Sequence, residues 1–196
     1  MRAISTKLLP LTLVACVVAT AAGCSDFIRQ DRSSVTLIID ALEAASGGDD
    51  SADFAVTLQS DVLTAGSVFN DTGRVTMRLI MKDLAEAATA TNAVTINRYR
   101  VTFRRSDGRN TPGVDVPQPF DSAMTFTVAP GATSVAGFEL IRHVAKLEAP
   151  LLGLRNNPVI ISTVADVTFI GRDQAGREVA TTGSIGVQFG NFADPD

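Results

Sequence analysis

The stretch VIISTVADVTFIGRDQAGREVATTGSIGVQF, residues 159–189, decides the fold. Val159, Ile161, Thr163, Ala165, Val167 and Phe169 share one parity; Val179, Thr181, Ile185, Val187 and Phe189 share another. Alternation with a period of two buries one face of a strand and leaves the other wet, the pattern of antiparallel sheets. Between the two runs lies Asp173-Gln-Ala-Gly176, a turn whose glycine reaches positive φ at little steric cost. The stretch therefore predicts two long strands, 160–171 and 178–189, joined as a hairpin.

The same pattern recurs upstream. Val35, Leu37 and Ile39 alternate with polar residues, as do Phe54, Val56 and Leu58, then Val75, Met77, Leu79 and Met81. Tyr99, Val101 and Phe103 follow, then Met124, Phe126 and Val128. Residues 134–146 read as a further strand whose alternation breaks near Arg142, which predicts a bulge. Helix signals are weak. Only the alanine-rich stretches 41–45 and 83–91 have room for a turn or two, and neither carries an apolar stripe at helical spacing. SGGDDS (46–51) and Ser106-Asp107-Gly108 mark turns, while prolines make 111–120 and 150–158 extended connections. About eight strands with little helix predict an all-β, antiparallel β-sandwich.

The N-terminus reads differently. Arg2 and Lys7 are the only charges before Asp26, and residues 8–22 are mostly apolar, ending in small residues. That is the layout of a secretory leader, and the run is shorter than the roughly twenty residues a membrane span needs. Setting Arg2 and Lys7 aside leaves 15 of the 17 basic residues against 21 acidic ones, a balance unlike that of a general nucleic-acid binder. An apolar content of 45% is enough for residues 34–192 to fold as one domain. The chain divides into a leader (1–23), a tether (24–33), this domain, and a short tail (193–196).

Two resemblances add to this reading. Ala21-Ala22-Gly23-Cys24 resembles a bacterial lipobox, with Ala21 where leucine is commoner. The resemblance implies cleavage before Cys24, a diacylglyceryl group on its sulfur and, with no aspartate at position 25, an outer-membrane anchor facing the periplasm or the cell surface. Cys16 would leave with the leader, so no disulfide could form in the mature chain. RYRVTFR (98–104) resembles the Tyr-x-Val-x-Phe strand of fibronectin type III domains. VTFIGRDQAG (167–176) resembles a late strand-to-turn segment of bacterial immunoglobulin-like domains. Together they imply an immunoglobulin-like sandwich, although the chain has no tryptophan and no cysteine pair for its core. Such a fold carries no activity of its own.

Few residues offer chemistry. His143 is the only histidine, so a Ser–His–Asp arrangement would have to use it, and its strand-like surroundings suit an ordinary partly exposed side chain. Asn70-Asp71-Thr72-Gly73 contains the Asp-Thr-Gly triplet of aspartic proteases, which would need a second copy to supply its partner carboxylate; a polar turn leading into a strand explains it more simply. Asp49, Asp50 and Asp53 are oxygen ligands without the spacing of a calcium loop. No cofactor is implied. The most informative pattern is basic. Arg74, Arg78 and Lys82 oppose one apolar parity, and Arg98, Arg100 and Arg104 oppose another. If both strands share a sheet, these six cations form one outer face suited to an envelope protein or an anionic polymer; the alternative is a solvated face balanced by cross-strand acids. The expected function is non-catalytic binding at the envelope. Carbohydrate binding is a second option, weakened because Tyr99 lies on the apolar parity, and hydrolysis is a third.

Overall fold

A computed structural model describes residues 33–48 and 53–192. The leader, Cys24, the tether up to residue 32, Asp49, Asp50 and the 193–196 tail lie outside these residues. The chain forms the expected all-β sandwich of eight strands: β1 (Val35–Ala45), β2 (Thr57–Asp61), β3 (Asp71–Met81), β4 (Val94–Arg104), β5 (Phe120–Val128), β6 (Ser134–Ile141), β7 (Ile161–Asp173) and β8 (Glu178–Gly190). Among the described residues helix is limited to one turn, α1 (His143–Lys146), and 3₁₀ turns at Ala90–Asn92 and Leu151–Asn156.

The sheets are ordered β1-β3-β6 and β2-β8-β7-β4-β5. The predicted hairpin is present: β7 and β8 pair antiparallel from Ile161↔Phe189 to Arg172↔Glu178, and Gly176 has φ 79° in the turn. One pair departs from the antiparallel expectation, because β2 runs parallel to β8 along Thr57↔Gly186 to Asp61↔Gly190.

Period-two patterning places the core. Val94, Ile96, Tyr99, Val101 and Phe103 of β4 face Phe138 and Leu140 of β6 and Val75 and Met77 of β3 across the gap between sheets. An aromatic cluster fills its centre. Tyr99 lies edge-on to Phe138 (5.2 Å between centroids), and Phe138 lies edge-on to Phe169 (5.3 Å). Such contacts add to the area they bury. The Tyr99 hydroxyl donates to the Glu139 carbonyl at 3.0 Å.

Several local expectations are corrected. Residues 41–45 are not a helical turn: β1 continues through them, held by pairing with β3 up to Ala45↔Thr72. Tertiary pairing outweighs alanine's helix preference there. Residues 54–56 precede the strand, Val56 is exposed, and β2 begins only at Thr57. The 134–146 segment stops being strand at Ile141, and His143 opens a helical turn instead of sitting in a strand.

The strands run between two poles. β1 leaves Ser33 beside Met81 and, after eleven residues, reaches Thr72; β6 ends where Ile141 meets Asp71. At ~3.3 Å per residue the far pole, carrying α1, stands about 33 Å from the pole where the N-terminal segment enters.

Candidate functional site

The six predicted cations do not share a face. Arg74 and Arg78 lie on β3 and Lys82 just beyond it, in the first sheet; Arg98, Arg100 and Arg104 lie on β4, in the second. They point away from the common core on opposite sides of the sandwich, so the single basic face is not formed. Cross-strand acids meet several of them. Arg78 Nε donates to Asp40 Oδ1 at 2.8 Å, and Arg104 Nε to Asp166 Oδ2 at 2.7 Å. Arg74 is held from two directions: its guanidinium donates to Glu43 Oε2 at 2.9 Å and lies 4.1 Å from the centroid of Phe54. Arg98 and Arg100 are exposed, and Arg100 stands across from Asp121.

The strongest concentration of polar chemistry lies elsewhere. Asp71 opens β3 inside the protein, not in a turn. Its Oδ1 accepts from Lys146 Nζ at 2.7 Å and from the Gly47 backbone N–H at 2.9 Å, and its Oδ2 accepts from Ser60 Oγ at 2.6 Å. Neither Asp71 nor Ser60 has measurable exposure, and Lys146 retains 1%. Burial pushes the Asp71 carboxyl above its ordinary range, although Lys146 and the other donors oppose the shift. Four segments converge on this carboxylate: the turn after β1, β2, β3 and α1. A serine, a lysine and an aspartate invite comparison with nucleophilic catalysis, but a nucleophile must meet its substrate. Ser60 donates into the carboxylate and is sealed from solvent. The arrangement therefore acts as a clamp that fastens α1 to the far pole.

The triplet that named Asp71 as a candidate has a packing explanation too. Gly73 lies under the Phe138 ring, where a Cβ would fall inside the ring. Asp71 serves the clamp and Gly73 serves the aromatic cluster. His143 is exposed at the start of α1. Asp53 is exposed, and among the described residues no group of three His, Cys, Asp or Glu gathers to hold a metal.

A cleft of about 420 Å³ opens at the N-terminal pole between Ser34, Glu86, Asn92, Asp173, Gln174 and Arg177. Its polar groups largely serve the local turns. Asp173 accepts from Ser33 Oγ (3.0 Å), Ala175 N–H (3.0 Å) and Arg177 N–H (2.8 Å), and Asn92 donates to Ser34 Oγ at 3.0 Å.

Sequence reasoning missed the clamp because Lys146 is 75 residues from Asp71. The one available signal was a lysine closing a run otherwise read as apolar strand. Comparison with protein-family models, with curated proteins and with solved structures finds no match to the chain.

Proposed function

We propose that the chain is a lipid-anchored envelope protein whose sandwich acts as a non-catalytic interaction module. One observation carries the reading: the serine, aspartate and lysine that converge most closely, Ser60, Asp71 and Lys146, are sealed and hold the fold together. Exposed cross-strand pairs such as Arg78–Asp40 and Arg104–Asp166 match each other instead of converging on a reaction centre. The buried Tyr99 leaves no aromatic platform on β4 for a sugar.

The leader and the lipobox-like Cys24 supply the attachment. Two or more acyl chains hold a protein at a bilayer where a single chain does so only marginally. The test is fractionation of cells producing the wild type or Cys24→Ser. The wild type should sediment with membranes and dissolve only in detergent, and Cys24→Ser should not. Identical distribution of the two would remove the anchor from the account.

A further inference from the structure

We infer that the free edge of β6 is a strand-addition site for an extended segment of another envelope protein. β6 pairs with β3 on one side, and among the described residues no strand pairs with its other side. No further described strand extends that sheet beyond β6, because residues 129–133 lead directly from β5 into β6.

The other three edges are guarded. β1 carries a register shift at Asp40 and is tied to Ala55 through Ala44. β2 has only five residues. β5 carries Asp121, and its pairing with β4 shifts register between Ile96 and Arg98. Bulges, short length and edge charge are the usual means of preventing unwanted pairing. The sequence of β6, SVAGFELI, contains no lysine, arginine or proline, and its register shifts only near its end, at Leu140, whereas that of β5 shifts mid-strand.

Below this edge the core is incompletely covered. Met124 and Phe126 of β5 and Ala136 of β6 pack on the core but are only partly buried. Ala136 and Gly137 are small enough for a backbone to approach closely. The charge of the edge selects the occupant. Glu139 is the only charged side chain of β6 and makes no ion pair among the described residues. The complementary segment alternates apolar side chains over Met124 and Phe126 with outward polar ones, and places a lysine or arginine across from Glu139. Main-chain hydrogen bonds along Ser134–Phe138, short of the Glu139 carbonyl that already accepts from Tyr99, would supply affinity and the alternating side chains specificity. A second copy fits less well. Antiparallel β6–β6 pairing offers Glu139 no base, and it turns the two N-terminal poles in opposite directions, unlike two copies anchored in one bilayer.

The inference gives the recognition reading a surface and a partner chemistry, and rests on it. The test uses the full chain in detergent and synthetic ten-residue peptides of alternating valine and threonine carrying one lysine, with a glutamate version as control. Two further isomers of the lysine peptide are N-methylated along one edge or the other. Binding of the lysine peptide should slow amide exchange at residues 134–139 by about tenfold or more. The glutamate peptide should bind more weakly, and Glu139→Gln should abolish that difference. One N-methylated isomer should lose binding, because it cannot donate to β6. Protection elsewhere only, equal binding by both N-methylated isomers, or a dimer already protected along β6 would overturn the inference. Cys24→Ser should bind the peptides like wild type, so a failed anchor and a failed edge are read separately.

Discussion

Lys146 Nζ lies 2.7 Å from Asp71 Oδ1, with side-chain exposures of 1% and 0%. Buried pairs of this kind contribute little relative to apolar replacements, because both ions lose their hydration. Breaking one is costly, since it strands the other charge. Lys146→Met should therefore destabilise the protein by about 3–5 kcal/mol in urea unfolding, while adding Asp71→Leu should recover most of the loss. A loss below about 1 kcal/mol for Lys146→Met would show that the pair is not sealed.

The same carboxyl gives a pH signature. Burial raises Asp71 above its ordinary value of 3.8. Between that value and its own midpoint, the native state keeps a proton that the unfolded chain has released. This group's contribution to stability therefore falls as pH rises through the interval. Asp107 behaves oppositely. Its hydrogen bonds with Arg105 and then Arg109 hold it at about 2, so its contribution is complete above the ordinary value and is lost as pH falls toward about 2. Carboxyl-detected NMR titration should place the two midpoints on opposite sides of 3.8. Asp71→Asn should remove the decline in stability above that value.

Gly73 and Phe138 make a steric prediction. Gly73→Ala forces the ring aside and should cost about 1–3 kcal/mol, as overpacked cores do. In a Phe138→Leu background the same alanine should cost clearly less, because the ring it meets is gone. Equal costs in the two backgrounds, compared by thermal unfolding, would separate the residues.

The exposed arginines should matter little to the fold. Arg78→Ala and Arg104→Ala each remove a solvent-accessible ion pair and should leave the denaturant midpoint nearly unchanged. Arg74→Ala should cost more than Arg78→Ala, since Arg74 also covers the Phe54 ring. The ranking can be read from denaturant midpoints measured in low salt.

Much of this architecture was legible in the alternation of residues 35–39, 75–81, 98–104 and 159–189, because period-two patterning follows from the pleat itself. Parity says which way a side chain points, not which sheet receives its strand. That is why parity alone leaves open whether Arg78 and Arg100 share a face, and they stand on two. Alanine-rich 41–45 became strand through its pairing with β3, which lies in no local signal. Asp71 was singled out for its triplet, yet its role depends on Ser60, Gly47 and Lys146, three partners that only the folded topology brings together.

The sandwich is proposed to be a recognition module held to a bilayer through Cys24. Intact-mass analysis of the full chain, purified from membranes in detergent, tests it most directly. The predicted result is a chain beginning at Cys24 and carrying a diacylglyceryl group with a further acyl chain. A chain with an unmodified Cys24 thiol, recovered without detergent, would contradict it.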